Sequence, residues 1–571
     1  MSIPSSFHKD GGPAETQNTP SKTLRAYALG GGGEIGMNAY VLEYGDDLIL
    51  IDCGQMTPDE DMPGVDLVIP DFSHLADGRL NVCGVFLTHG HEDHIGGLPY
   101  FLSILQAPIY GTPLTLGLVC VRLEEFELPQ RPDLRELRSG EAIEAGPFRV
   151  VPFQVTHSVP GALGFIVETP LGTVMYSGDY KFDSSLSEDE RYDEGVVRAY
   201  ADQGILALFA DSTNADRKGS APREEEATLT LDRLFGEAPE SLVVAAFASS
   251  LHRIQNILNL AARHNRLVFP TGLNMIRNIE MARAMGWLKV EESRLRDVRE
   301  IAATRRDRRL LLSTGSQGEP LSVMSRMALD DFKWMSIEPD DTVILSSRII
   351  PGNEKAILRM INHFSRRGAR VFYEWTEKVH ASGHAYREDM KKLIAMARPR
   401  HLIPLHGEYR HLQEHRALAL EAGMRPENIF VVENGVIVEF SEQGGRLAGD
   451  VMTGRVLVDG KGVGDVCDVV LHDRRRLSAD GMLIAILVIN RSTGEILAGP
   501  DIVTRGFVFV DGSGEILEEA RRVVLETFLA FDRESREDWG VVKLALQRAL
   551  KKFIKNRMER MPMILSVVIE A

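Results

Sequence analysis

The segment Thr88-His89-Gly90-His91-Glu92-Asp93-His94-Ile95-Gly96-Gly97 follows directly on the apolar run Val85-Phe86-Leu87. The run reads as a buried strand, so three imidazoles and a carboxylate leave its end within six residues. Imidazole nitrogen and carboxylate oxygen suit zinc, and crowding these groups into one turn lets a single loop supply parts of two adjacent metal sites. An isolated histidine is ordinarily a hydrogen-bonded or exposed structural residue. The close spacing here points to metal instead.

Working outward, further donors stand where other strands are expected to end. They are His157 after Val151 to Thr156, Asp179 after Val174 to Gly178, and His406 after Leu402 to Leu405. Each alone reads as a turn, cap or structural residue. Together they complete two sites. Around them, strand patterns at Leu24 to Leu29, Tyr40 to Tyr44, Leu48 to Asp52, Val82 to Thr88, Phe148 to Phe153, Gly164 to Glu168 and Thr173 to Ser177 alternate with helical patterns, which predicts an α/β fold.

The texture changes near Asp211. A polar stretch leads into alternating strand and helix patterns, such as Ser241 to Ala248 followed by Leu251 to His264, and predicts a parallel sheet in its own domain. Val371 to Trp375 reads as a strand before the last histidines, and the glycine-rich residues 443–449 read as part of a linker. Beyond it, strands are expected at Gly481 to Asn490 and Gly506 to Asp511. A basic stretch (Lys543, Arg548, Lys551, Lys552, Lys555, Arg557, Arg560) follows, and suits either RNA phosphates or a solvated helix face.

Gly31-Gly32-Gly33-Glu34-Ile35-Gly36 matches the dinucleotide fingerprint G-x-G-x-x-G, with Asp52 downstream. That site needs a helix to start at the glycines, whereas strand, turn and strand follow. The loop is expected to shape the rim of the metal cleft.

At 571 residues, with 44% apolar and 26% charged residues, the chain is long enough for several globular domains. The net charge of −17 argues against a protein that coats nucleic acid, so RNA contact must use local basic grooves. Cys53, Cys83, Cys120 and Cys467 form no C-x-x-C pair, which suits a reducing compartment and a cytoplasmic location. Residues 1–22 read as a disordered tail without the apolar core of a signal peptide. The longest apolar run, Met482 to Ile489, is far short of a membrane span.

The motif H-x-H-x-D-H at His89, His91, Asp93 and His94 resembles the metallo-β-lactamase superfamily, whose later single ligands match His157, Asp179 and His406. The long segment between Asp179 and His406 looks like a β-CASP insertion. Asp211-Ser212-Thr213-Asn214, Phe247-Ala248-Ser249, Thr314 to Pro320, Ser346 to Glu354, His380-Ala381-Ser382-Gly383-His384 and Pro404 to Glu408 resemble the ribonuclease J family, as do Asp473 to Ser478 and Pro500-Asp501-Ile502.

The resemblance implies an αββα metallo-β-lactamase sandwich (23–208 and 365–442), an inserted β-CASP α/β domain (209–364), a linker (443–465) and a small α/β C-terminal domain (466–571). It implies one zinc on His89, His91, His157 and Asp179 and a second on Asp93, His94, His406 and a bridging Asp179, with manganese or magnesium as further candidates. Asp93, Asp179 and His384 would be catalytic, His384 assisting the leaving oxygen. Ser347, His380, Ser382, Gly383 and His384 would hold the phosphate next to the scissile bond.

By the same resemblance the chain would be a 5′ to 3′ exoribonuclease with endonuclease activity in rRNA processing and mRNA decay. Its substrate would be single-stranded RNA with a 5′ monophosphate. It would assemble as a homodimer or homotetramer, with RNA-decay proteins as partners. A DNA nuclease of the β-CASP branch and a non-catalytic RNA-binding scaffold are the alternatives.

Overall fold

The computed structural model describes residues 23–59, 61–350, 352–491, 493–507, 514–532 and 539–571. The tail expected at 1–22, Pro351 of the Ser346 to Glu354 motif and residues 508–511 of the strand expected at Gly506 to Asp511 lie outside them. The chain forms two compact units, the first ending its two pieces at Met56 and at Arg455 (with Ile69–Arg455 as the longer piece), the second made of Thr57–Val68 and Val456–Ala571.

The first unit contains two facing sheets. One has eight strands in the order Gly444–Asp450, Val436–Ser441, Leu24–Gly30, Ala39–Tyr44, Asp47–Ile51, Asn81–Phe86, Ile109–Gly111 and Leu134–Glu136. The other has six, in the order His401–Leu405, Ile205–Asp211, Gly172–Tyr176, Leu163–Thr169, Phe148–Gln154 and Ile143–Ala145. Alternate residues of both sheets, among them Ala26, Leu42, Ile49 and Phe86 from the first and Val150, Phe165, Val174 and Phe209 from the second, interdigitate in one apolar layer. The opposite faces are covered by helices. Leu98, Phe101 and Leu114 pack on the first sheet, and Val197, Met390 and Leu393 on the second. This is the αββα sandwich.

Strands Asp47–Ile51, Asn81–Phe86 and Ile109–Gly111 run parallel in one sheet, as do Gly172–Tyr176, Ile205–Asp211 and His401–Leu405 in the other. Asp211 is the last residue of Ile205–Asp211, and the loops leaving the C-terminal ends of the others carry Asp52, His89, Asp179 and His406, so the pairing register itself gathers the donors at one end of the sandwich.

The inserted segment builds a five-stranded parallel sheet in the order Leu267–Thr271, Arg309–Ser313, Leu242–Ala245, Thr342–Leu345 and Arg370–Phe372. Its three central strands, Arg309–Ser313, Leu242–Ala245 and Thr342–Leu345, are buried on both faces, as expected of short β-branched and leucine runs between crossover helices, whereas the edge strand Arg370–Phe372 is exposed to half-buried.

Residues 443–465, expected as a linker, contain strands. Gly444–Asp450 pairs antiparallel with Val436–Ser441, and Arg455–Asp459 forms a hairpin with Gly462–Val463. The glycines begin a hairpin strand, Gly444 at φ 130°, and the pairing partner that makes this stretch a strand is not visible in its own composition.

In the second unit Met482–Ile489 is the central strand, antiparallel to Ile496–Arg505 and parallel to Met563–Glu570. Its residues alternate buried and half-buried, and Leu483, Leu487 and Ile489 pack with Val524, Phe528, Leu546 and Ile554 of helices Gly514–Leu529 and Trp539–Met558. Gly506 and Phe507 lie just past the end of Ile496–Arg505, and the rest of the strand expected at Gly506 to Asp511 lies outside the described residues. Among the described residues no helix is long and apolar enough to cross a membrane.

Candidate metal centre

His89 lies just beyond strand Asn81–Phe86, and the chain then turns into the short helix Glu92–Ile95, which carries Asp93 and His94. His157 follows Phe148–Gln154, Asp179 follows Gly172–Tyr176, and His406 follows His401–Leu405. All seven converge. Donor atoms of His89, His91, His157 and Asp179 lie within 4.8 Å of one another, as do those of Asp93, His94 and His406.

Asp179 stands at the centre. Its Oδ2 is 3.2 Å from His94 Nε2, 3.3 Å from His406 Nε2, 3.7 Å from His89 Nε2 and 3.8 Å from both His157 Nε2 and His384 Nδ1. The residue is 2% exposed, and neither carboxylate oxygen has a hydrogen-bond partner. Burial raises its carboxyl, but His406, His94 and His384 outweigh burial and hold it well below the usual carboxylate range. A buried, ionised carboxylate ringed by imidazoles calls for positive charge beside it, which protonated imidazoles or a metal ion can supply.

The imidazoles are oriented by partners on their other nitrogens. His94 Nδ1 donates to Asp52 Oδ2 at 2.8 Å, and Asp52 in turn accepts from the backbone N–H and hydroxyl of Thr88. His157 Nδ1 donates to the carbonyl of Gly383 at 2.9 Å, and His89 Nδ1 lies 2.9 Å from Thr88 Oγ1. These contacts leave the Nε2 lone pairs of His89 and His157 converging on His91 Nδ1, at 2.9 and 3.2 Å. Lone pairs brought together in this way are satisfied by a positive ion, so the donor set fits a divalent metal.

Charge follows the same logic. Burial, with neighbouring imidazoles, lowers His89 well below its ordinary range, and burial lowers His91 to about 4. Burial also lowers His157, which therefore presents a neutral ligand nitrogen. Burial would lower His94 and His406 too, but Asp179 and the other carboxylates outweigh it, holding His94 well above its usual value and His406 up at about 9. The carboxylates thus demand positive charge here, and protons and metal ions compete to supply it.

Three non-glycine residues at the site, Met37, Asp52 and His406, have positive φ (51, 63 and 51°). Cross-links hold this strain. The Asp52 N–H donates to the Phe86 carbonyl, and the His406 N–H donates to the Gly31 carbonyl at 3.0 Å. The glycine loop therefore backs a donor residue. Gly32–Gly33 pairs with Gly407–Glu408, and no helix begins at the glycines.

His384 Nδ1 donates to Asp211 Oδ2 at 2.8 Å, and Asp211 also accepts from the N–H and hydroxyl of Thr213. Asp211 and Asp52 support histidines of the site, positions to which the sequence reading gave no role. Asp211, His384, Asp179 and His406 also lie within mutual ligand distance.

Beside them is a cavity of about 570 Å³ lined by Asn214, Arg217, Arg348, His380, Ser382 and Tyr386, among others. Ser382 Oγ accepts from Asn214 and from the His384 N–H, and Arg348 donates to Asn214. Of the residues expected to hold phosphate, His380 and Ser382 line this cavity. Ser347 is buried and accepts from Gln317, and the Gly383 carbonyl is occupied by His157.

Family models match the chain as follows: the metallo-beta-lactamase superfamily over residues 32–215, the ribonuclease J beta-CASP domain over 239–364, the Zn-dependent metallo-hydrolase RNA specificity domain over 368–432 and the ribonuclease J C-terminal domain over 469–571. Ribonuclease J2 of Bacillus subtilis is 36% identical over 550 residues, covering 96% of this chain and 99% of that protein. The chain belongs to the ribonuclease J family. Ribonuclease J of Thermus thermophilus is 39% identical over 567 residues, 97% of this chain and 96% of the relative. A solved structure described as a protein of unknown function from Enterococcus faecalis V583 shares the fold, with a TM-score of 0.50 and 16% identity, covering 77% of this chain and 100% of that one.

Proposed function

We propose that this chain is a ribonuclease J that hydrolyses RNA phosphodiesters at a centre of two zinc ions. The observation that carries the reading is the buried Asp179 carboxylate, with both oxygens free of hydrogen bonds among five imidazole nitrogens. His89, His91, His157 and Asp179 would hold one ion, and Asp93, His94, His406 and Asp179 the other. Bound divalent ions would supply Lewis acidity toward a phosphodiester and lower the pKa of the attacking water.

The chain's own residues then divide the remaining work. Asp211 fixes His384 with Nδ1–H as donor, leaving Nε2 to handle the proton of the departing 3′ oxygen. His380 and Ser382, in a cavity that also presents Arg348, hold the phosphate next to the scissile bond. For cleavage of the first linkage that neighbour is the 5′-terminal phosphate, so the same pocket favours 5′-monophosphorylated RNA and 5′ to 3′ exonuclease action. Endonuclease cleavage follows when an internal phosphate occupies it. On this reading residues 23–208 with 365–442 form the catalytic core, 209–364 the insertion and 466–571 the C-terminal domain, with two adjustments at the seams: Ile205–Asp211 completes the core sheet, and Arg370–Phe372 pairs with Thr342–Leu345 as the edge strand of the insertion.

A homodimer or homotetramer is supported by the exposed apolar side chains Val503, Leu565, Val567 and Ile569 on the C-terminal sheet. The test of function compares hydrolysis of matched RNA and DNA strands by the purified chain, with and without a chelator. RNA-selective, chelator-sensitive turnover is expected. Equal cleavage of both strands would favour a DNA nuclease, and RNA binding without turnover would favour a scaffold.

A further inference from the structure

A second buried charge assembly lies behind the cavity. Arg253, in the first turn of helix Leu251–Arg263, is 4% exposed. Its Nε and Nη2 donate to the two oxygens of Glu224, at 2.6 and 2.9 Å, and Glu224 opens helix Glu224–Glu237. Its Nη1 donates to Ser346 Oγ at 2.6 Å and to the Val379 carbonyl at 2.7 Å. Ser346 Oγ also donates to that carbonyl, at 2.7 Å, across 33 residues of sequence.

One guanidinium therefore joins two chain segments just before they enter the cavity wall. Ser346 stands two residues before Arg348, and Val379 one before His380. Arg348 and His380 both line the cavity. Burial, followed by the positive charge of Arg253, pushes His380 down to about 3, so it meets a ligand as a neutral imidazole.

A buried Arg–carboxylate pair is a poor source of net stability, because removing both charges from water offsets most of their attraction. What the planar, forked guanidinium supplies is fixed geometry, which an ammonium cannot reproduce at both segments at once. We propose that Arg253 is a positioning residue for the RNA phosphate, setting Arg348 and His380 at the separation that holds the phosphate adjacent to the scissile bond. This inference rests on the reading of the cavity as a phosphate pocket. Arg253 itself is sealed behind the wall by its partners and does not touch RNA.

The test uses metal-loaded wild type, Arg253→Met, Arg253→Lys, Glu224→Gln and His380→Ala, each checked for metal content and melting temperature. The substrates are one oligoribonucleotide sequence with a 5′ phosphate or a 5′ hydroxyl. Arg253→Met is expected to raise KM for the phosphorylated RNA and lower the phosphate-to-hydroxyl ratio of kcat/KM by at least about tenfold, with partial recovery in Arg253→Lys. A folded, metal-loaded Arg253→Met with the wild-type ratio, or with equal losses on both RNAs, overturns the inference. If Arg253→Met does not fold, Arg253→Lys and Glu224→Gln are held to the same criterion. His380→Ala separates the two claims: a wild-type ratio there refutes the phosphate pocket itself, whereas a collapsed ratio there beside normal Arg253 variants refutes only the role of Arg253.

Discussion

Gly383→Ala places one methyl group where the structure leaves no room. A Cβ at this position would sit 2.6 Å from both Cε1 and Nδ1 of His157 and 3.1 Å from the Ser158 backbone nitrogen. That is about 0.8 Å short of the 3.4 Å at which ordinary contact begins. The backbone of Gly383 is not in the left-handed region, so alanine meets no conformational penalty and the perturbation is steric alone. The imidazole ring must move or tilt by most of an ångström, and the 2.9 Å hydrogen bond from its Nδ1 to the Gly383 carbonyl is lost or bent. Disturbing the partner that orients a metal-binding histidine costs roughly 10- to 100-fold in metal affinity, and a 1 Å error at reacting groups costs roughly 100-fold in rate. Zinc titration of the RNA-free protein, followed by kcat at saturating zinc, reads both effects. Wild-type zinc affinity together with a wild-type rate in Gly383→Ala would show that the position of His157 tolerates the added methyl group, contrary to expectation.

Asp211→Asn replaces the acceptor of His384 Nδ1 and is expected to lower kcat by roughly 100-fold or more, since the imidazole is then free to adopt the wrong tautomer. A rate within fivefold of wild type contradicts that role. Asp183 accepts from Lys181 Nζ at 2.9 Å and from the Glu224 N–H at 2.8 Å. Burial raises its carboxyl, but Lys181 and the hydrogen bonds outweigh burial and hold it at about 2. A depressed carboxylate stabilises the fold fully above its unfolded value and less as pH falls through its folded value. Asp183→Asn should therefore cost about 2 kcal/mol near pH 7, with the gap to wild type closing between roughly pH 4 and pH 2. Urea unfolding across that range measures it, and a pH-independent gap is the contrary result. Phe86 stacks on Tyr110 with ring centroids 4.6 Å apart and meets Phe165 edge-on at 6.0 Å. Phe86→Ala should lower stability by about 3–5 kcal/mol, and a loss under 1 kcal/mol in denaturant unfolding would show that the layer beneath the ligand loop collapses to fill the gap.

The donors that sequence made legible share a context. His89, His91, Asp93 and His94 are contiguous, and His157, Asp179 and His406 each follow a recognisable apolar strand, so the chemistry and the fold carry the same signal. The parallel insertion sheet was legible for the same reason, from its alternating strand and helix patterns. Asp211 falls within a family motif but was given no role, because its partner His384 is 173 residues away. Asp52 was seen only as the acid downstream of a misleading glycine fingerprint, and the hydrogen bond to His94 that gives it a role is made across the sheet end. The strand at Gly444–Asp450 was read as linker because its glycines mark a turn, while its pairing with Val436–Ser441 is a tertiary fact. Ser347 matched by position in the motif, and that its hydroxyl accepts from Gln317 within the buried wall is a contact between segments that the motif does not show.

Hydrolysis of RNA at the metal centre gathered on Asp179 underlies every role proposed above. It is tested most directly by incubating 5′-labelled, 5′-monophosphorylated RNA with wild type and His91→Ala while counting bound zinc in both. Two zinc ions per wild-type chain and release of labelled mononucleotide are expected, with both lost in His91→Ala and in chelated wild type. RNA cleavage by His91→Ala at the wild-type rate, or by wild type stripped of metal, would contradict the account.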